Sequence, residues 1–174
     1  MKEIKGFNGE YAFLSNFYEN PLCVEIAVWN KPHKVVTMES FVFPTSEHAY
    51  HAFKVFRDWL HPQIEEIPEF EKFKLYETPG KAKRAGRKVP LDTEYWDKVK
   101  DNVMKYILIE KFRKAPLRNM LLATGDAYLE ETNTWHDTYW GVCEGEGKNK
   151  LGRLLMEVRE EGCKQFFTAT RIGE

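Results

Sequence analysis

The stretch PTSEHAYHAFK, residues 44–54, places a glutamate, two histidines and a lysine within eight positions of what reads as a helix start. Wound at ~100° per residue, His51, Lys54 and Asp58 all fall within about 40° of Glu47, while Ala49, Ala52, Phe53, Phe56 and Leu60 gather on the opposite side. One side is an apolar stripe for burial. The other is a column of acid, imidazole, amine and acid. If solvent covers that column, it is a Glu-to-Lys ladder of little consequence. If other segments cover it, Glu47 can serve as acid or base and Lys54 as cation or nucleophile. Two features favour the covered reading: a first-turn glutamate is stabilised as an anion by the helix N-terminus, and FVFPTS delivers that terminus from a strand onto the core. Zinc is not expected, because His48 and His51 would splay by about 60° and no HExxH spacing is present.

GKAKRAGRK, residues 80–88, holds the densest basic cluster, Lys81, Lys83, Arg84, Arg87 and Lys88. It reads either as a solvated basic helix, with acidic neighbours supplying partners, or as a phosphate site. In the second reading the guanidinium forks and a helix N-terminus meet phosphate oxygens and Gly86 permits close backbone approach. A third region, TNTWHDTYWGVCEGEGKNKLG, residues 132–152, is too aromatic for a plain connector. Trp135, Tyr139 and Trp140 could pack on the core or stack on a nucleobase, and Asp137 could bind a sugar hydroxyl or an exocyclic amine. The spacing from Gly141 to Gly147 is one residue too long for a phosphate-binding P-loop, and Asn149 stands where Ser or Thr is needed. Nucleophile-elbow, thioredoxin and Ser-His-Asp spacings are absent too. A carboxylate and amine on one helix, a basic cluster and an aromatic Gly-rich loop together describe a pocket for an anion bearing a planar ring, as in a nucleotide or phosphorylated riboside.

The elements that must position these groups follow from periodicity. LCVEIAVW, with Val24, Ile26 and Val28 on one side, and KVVTMESF flank the turn residues NKPHK and predict a β-hairpin. From Pro44 onward the period becomes helical. Thr45 or Ser46 caps a helix running to about Leu60, and a broken segment with Ile64, Ile67, Phe70 and Phe73 follows. Pro79 opens a short helix that ends near Gly86. The longest helix is expected from about Thr93 to Lys114, with Trp96, Val99, Val103, Tyr106 and Ile107 at core spacing. Pro116 opens another that Gly125 closes. Asn149 caps the last, with Leu151, Leu154, Leu155 and Val158 as its stripe and Gly162 as its stop.

The expectation is a mainly α, single-domain fold with a small N-terminal β-hairpin, covering residues 1–174. That length suffices to bury ~70% of the unfolded surface without a metal or disulfide staple. With 26 basic and 27 acidic residues the formal net charge is −1, so the chain lacks the basic excess of a general nucleic-acid binder and any anion site must be local. Cys23, Cys143 and Cys163 are odd in number and show no CxxC spacing, which points away from a disulfide framework and towards a reducing cytoplasm. No signal core or membrane-spanning run is read in the sequence.

In order and spacing, FLSNFY, PTSEHAYHAFK, AKRAGRK, HDTYWG and GKNKLGRLLMEVRE resemble the YbiA-like, or NADAR, family from about residue 6 to residue 160. The resemblance implies a YbiA-like helical fold and N-glycosidase chemistry, hydrolysis of the bond between ribose C1 and a base nitrogen, with neither cofactor nor metal. The substrates it implies are ADP-ribose on guanine, in a nucleotide or short single-stranded DNA, or ribosylaminopyrimidine phosphates of the riboflavin pathway. Carried over by motif, Glu47, Lys54, Asp137 and Lys83 are the catalytic candidates. Asn16, Phe17, Arg84, Arg87, Trp96, Trp140, Gly141 and Asn149 are the substrate-binding ones.

Two mechanisms remain open at this stage. In one, Glu47 activates water while Asp137 orients the ribose hydroxyls. In the other, Lys54 or Lys83 attacks C1 to give an imine that water later hydrolyses, and helical spacing favours Lys54. A non-catalytic reader of ADP-ribose or an NAD-type nucleotide is the alternative function.

Overall fold

The computed structural model describes residues 2–172, with side chains to residue 162. Along the chain run β1 (Glu3–Lys5), β2 (Leu22–Asn30), β3 (Val35–Phe43), α1 (Ser46–Ala52), α2 (Ile67–Lys72), α3 (Pro79–Gly86), α4 (Thr93–Phe112), α5 (Leu117–Ala123), β4 (Tyr128–Glu130), β5 (Thr132–Asn133), β6 (Val142–Cys143) and α6 (Lys150–Ile172). Helix predominates and strand is present beside it, so this is an α+β fold. The chain divides into two compact units, residues 16–103 and residues 1–15 with 104–174.

In the unit of residues 16–103, β2 and β3 form the expected antiparallel hairpin, in register from Leu22 opposite Phe43 to Asn30 opposite Val35. Val24, Ile26 and Val28 alternate inward with Phe41 and Phe43, and all five are buried. Val36, Met38 and Val42 point the other way and are exposed. Phe70 of α2 is the hub of the core. Its ring meets Phe41, Phe43 and Phe53 edge-on at 5.1–5.3 Å and stacks on Phe56 at 4.6 Å.

That packing explains a departure from the periodicity. The helix expected to reach Leu60 stops at Ala52, tightens into a 3-10 turn at Phe53–Val55 and turns extended at Phe56, with ψ 127°. The extended backbone sets the Phe56 ring face to face with Phe70 at an interplanar angle of 24°, and tertiary burial overrides helix propensity. Leu60, expected in the stripe, is exposed as a result. Asp58 leaves the column and instead accepts from Tyr95 Oη at 2.9 Å and Leu60 N at 3.0 Å.

In the other unit, β1 pairs parallel to β4, β5 parallel to β6, and α6 packs on β4. These strands of two or three residues are additional to the hairpin that the sequence announces. α5 is closed as expected by Gly125, which follows its Thr124 cap with a φ of +62°, the left-handed conformation needed just past a helix end. α6 corrects two expectations: it passes through Gly162 to Ile172 and, at 23 residues against 20, it and not α4 is the longest helix. Arg159 of α6 is buried and donates from Nη1 to Thr124 Oγ1 and the Ala127 carbonyl. Lys111 of α4 is also buried, its Nζ 2.7 Å from the Ser15 carbonyl. Burial lowers this amine to about 7, against the opposing charge of Glu131. Cys23 and Cys143 are free thiols, and the Cys163 side chain lies outside the described residues. Among the described residues, no helix is long and apolar enough to cross a membrane.

Candidate active site

Thr45 fixes the start of α1. Its hydroxyl oxygen accepts from His48 N at 3.3 Å and lies 2.8 Å from His48 Nδ1. Since the Tyr76 carbonyl, 3.0 Å from His48 Nε2, can only accept, Nε2 carries the ring proton and Nδ1 accepts from Thr45. Both nitrogens of His48 are thereby used in holding the helix start. Glu47 N–H donates to the Asn16 carbonyl at 3.0 Å, so the SNFY segment supplies a partner for another amide that the first turn leaves open.

Every residue of α1 is buried, which decides between the two readings of its polar side. The column is not a solvated ladder: Glu47 is 6% exposed and His51 4%. His51 Nε2 lies 3.0 Å from Glu47 Oε1, and Lys83 Nζ approaches the same oxygen to 3.8 Å. Burial lowers the His51 imidazole below its ordinary range and the Lys54 and Lys83 charges add to the fall, although the Glu47 hydrogen bond and charge oppose it.

α3 brings Lys83 within this reach. Thr78 caps that helix through Lys81 N, and Pro79 occupies its first turn. Gly86 lies directly against His51, where a Cβ would fall 2.2 Å from Nδ1. The close approach that Gly86 permits is therefore that of an imidazole, not of a phosphate. The basic cluster divides accordingly. Lys81 pairs with Glu77, and Lys83 turns between Glu47 and the Phe17 ring, whose centroid is 5.6 Å from Nζ. Arg84, Arg87 and Lys88 are exposed.

Lys54 ends the column as its spacing implies. Its Nζ lies 5.6 Å from the Tyr50 ring centroid and 5.7 Å from that of Trp96. Burial pushes the amine below the ordinary lysine range, the Glu47 carboxylate pulls it back up, and Arg87, Lys83 and Lys100 push it down. A cavity of about 500 Å³ opens beside it, walled in part by Phe56, Pro90, Tyr95 and Trp96. This is the volume of a small-ligand site, with an aromatic wall and an amine at its edge.

Asp137, Trp140, Gly141 and Asn149 belong to the other unit. Asp137 Oδ1 accepts from Tyr139 N at 3.1 Å and Trp140 N at 2.8 Å, closing a tight turn. Asn133 braces the turn, its amide nitrogen donating to the Asp137 and Val142 carbonyls. Gly141 is required by the backbone between β4 and β5, since a Cβ there would fall 2.2 Å from the Glu131 carbonyl oxygen. Trp135 is exposed, while Tyr139 and Trp140 are half-buried with ring centroids 5.1 Å apart. Asn149 stands at the start of α6 with its carbonyl accepting from Arg153 N, as a cap should. Its side chain does different work: Oδ1 accepts from Glu131 N, and Nδ2 donates to Tyr128 Oη and the Leu129 carbonyl. Both amide hydrogens are thus committed within the protein. The sequence reading gave no role to the His51–Glu47 pair or to buried Lys111. The i,i+4 spacing signals the first; nothing in the local pattern of α4 signals the second.

A family model described as NADAR domain matches residues 5–161, which includes most of both units. N-glycosidase YbiA of Escherichia coli (strain K12) is 36% identical over 156 residues, covering 87% of this chain and 82% of that protein. Riboflavin biosynthesis protein VVA0006 of Vibrio vulnificus (strain YJ016) is 34% identical over 160 residues, and the chain spans only 35% of its length. A chloroplastic riboflavin biosynthesis protein, PYRR of Zea mays, is 38% identical over 141 residues, 22% of that protein. The NMR structure of E. coli YbiA is similar in fold, with a TM-score of 0.70 at 34% identity over 96% of this chain and 89% of that one.

Proposed function

Because this chain belongs to the NADAR domain family, we propose that it is an N-glycosidase, hydrolysing the bond between ribose C1 and a base nitrogen in a phosphorylated N-riboside. The observation that carries this reading is the buried Glu47 carboxylate, held by His51 and faced by Lys83, within electrostatic reach of the desolvated Lys54 amine. An acid and an amine buried together are more than a protein that only binds a nucleotide needs. The name of the E. coli relative, an N-glycosidase, supports this reaction class, and the riboflavin biosynthesis names of the Vibrio and maize relatives support a substrate of that pathway.

Lys54 is the nucleophile in this proposal. Its free amine bonds to C1 as the C1–N bond breaks, and the electron pair of that bond leaves with the base nitrogen. The proton shed by Nζ passes through the Glu47 carboxylate to that nitrogen. The sugar ring of the resulting glycosylamine opens to an imine as its remaining N–H proton moves to the ring oxygen. Water then adds at C1, releasing the sugar aldehyde and the amine. Lys83 stabilises negative charge on Glu47. Trp96 forms a stacking wall for the base, Asn16 and Phe17 shape the approach to Glu47, and the exposed Arg84 and Arg87 meet phosphate. In the other unit, Asp137, Trp140 and Gly141 are assigned to sugar and ring binding by the motif they carry, and Asn149 to holding that loop.

Two substrates fit this chemistry, ADP-ribosylated guanine nucleotide and ribosylaminopyrimidine phosphate. A mass-spectrometric time course of each with purified protein, with and without borohydride, tests the reading. The expected result is equimolar base and sugar product from one of them, with a reduced adduct mapped to Lys54. Turnover without any lysine adduct replaces the imine by water activated through Glu47. Binding without turnover of either substrate overturns the enzyme reading in favour of a nucleotide reader.

A further inference from the structure

We infer that His51 is a positioning residue: it immobilises Oε1 of Glu47 and thereby assigns the proton-handling role to Oε2. The inference rests on the N-glycosidase reading and extends it from a residue to an atom.

Three observations carry it. First, a carboxylate only accepts, so the 3.0 Å contact requires the hydrogen of His51 on Nε2, and a neutral ring then presents a lone pair at Nδ1. Second, Nδ1 has no hydrogen-bond partner and faces Gly86, where a Cβ would fall 2.2 Å away. Burying an acceptor in this way is unfavourable, so the arrangement is held for what the opposite nitrogen does. The Tyr50 ring, 5.3 Å away and at 74° to the imidazole, fixes the ring plane. Third, Lys83 also addresses Oε1, and among the described residues neither a hydrogen bond nor an ion pair reaches Oε2. A carboxylate with one oxygen tied on two sides rotates little, and its second oxygen is presented in one direction. The depressed basicity of the buried imidazole agrees with the neutral tautomer.

The test combines kinetics with a spectroscopic readout that needs no turnover. His51→Leu is expected to lower kcat on the order of tenfold while leaving KM within about twofold. His51→Gln, whose amide N–H reaches the same oxygen, is expected to restore most of that loss. A ¹H–¹⁵N imidazole spectrum of the wild-type protein should show His51 protonated at Nε2 and bare at Nδ1, with the Nε2 signal displaced in Glu47→Gln. An Nδ1-protonated His51, or a His51→Leu enzyme with unchanged kcat, overturns the inference. If neither riboside is turned over but the Nε2 tautomer is found and responds to Glu47→Gln, the catalytic reading falls while the fixing of Oε1 stands.

Discussion

Lys83 Nζ stands 3.8 Å from Glu47 Oε1, beyond hydrogen-bond length, on an oxygen that His51 Nε2 already holds at 3.0 Å. The ammonium therefore acts on Glu47 through its field and not as a donor. Its Nζ faces the Phe17 ring, and its side chain is only 26% exposed, so solvent screens the interaction partially. The carboxylate keeps its charge neighbour without surrendering its remaining oxygen.

Glu47→Gln keeps the shape of the side chain and removes its proton capacity. We expect kcat to fall by about 10²–10⁴-fold, with substrate affinity measured by calorimetry largely retained.

The free-amine form of Lys54 is the reacting one, so kcat/KM should rise with pH along a limb set by this amine. Arg87 is among the cations that lower its basicity. Removing that charge in Arg87→Ala makes Lys54 harder to deprotonate and moves the limb to higher pH. A pH–rate profile of the two proteins on a substrate lacking the phosphate checks the direction.

Gly86→Ala drives a methyl into the His51 ring. We expect a loss of about 1–3 kcal/mol in urea unfolding. Combining it with His51→Ala should recover part of the loss, with a favourable coupling of ~1 kcal/mol. Strict additivity would mean that the helices shift apart freely.

Burial shifts Lys111 from 10.5 to about 7 in the folded protein. Between those values the unfolded chain binds more protons than the folded one, so this residue's contribution makes stability rise with pH across that window and leaves its full penalty below it. Lys111→Met lacks the slope. Its melting temperature relative to wild type should therefore increase as pH is lowered from about 10 to 7, by an amount reflecting a few kcal/mol at most, on the order set by such a shift.

Much of this was legible in the sequence, and the rest was not for identifiable reasons. The hairpin followed from alternation at Val24, Ile26 and Val28, and α3 from Pro79 and Gly86, because these signals are local. The column of Glu47, His51 and Lys54 followed from helical winding, which also placed Asp58 and Leu60 wrongly. The stop at Ala52 is dictated by Phe70, a residue far along the chain, and helical period carries no information about such a partner. Strands as short as Thr132–Asn133 have too few residues to show a period at all. The role of Gly86 was misassigned because the sequence reports that a backbone is approached closely, but not by what. Lys111 shows the same limit: a lysine in a helix reads as solvated until packing buries it.

The turn closed by Asp137 decides how genetic experiments on that loop must be interpreted. Its Oδ1 holds two backbone amides. An alanine at this position removes an acceptor as well as a charge, and an inactive protein would then report a loop that has lost its shape. Asparagine keeps the acceptor and discards only the charge. The pair of alleles separates architecture from chemistry, and a screen that scored alanine alone would merge the two into one phenotype.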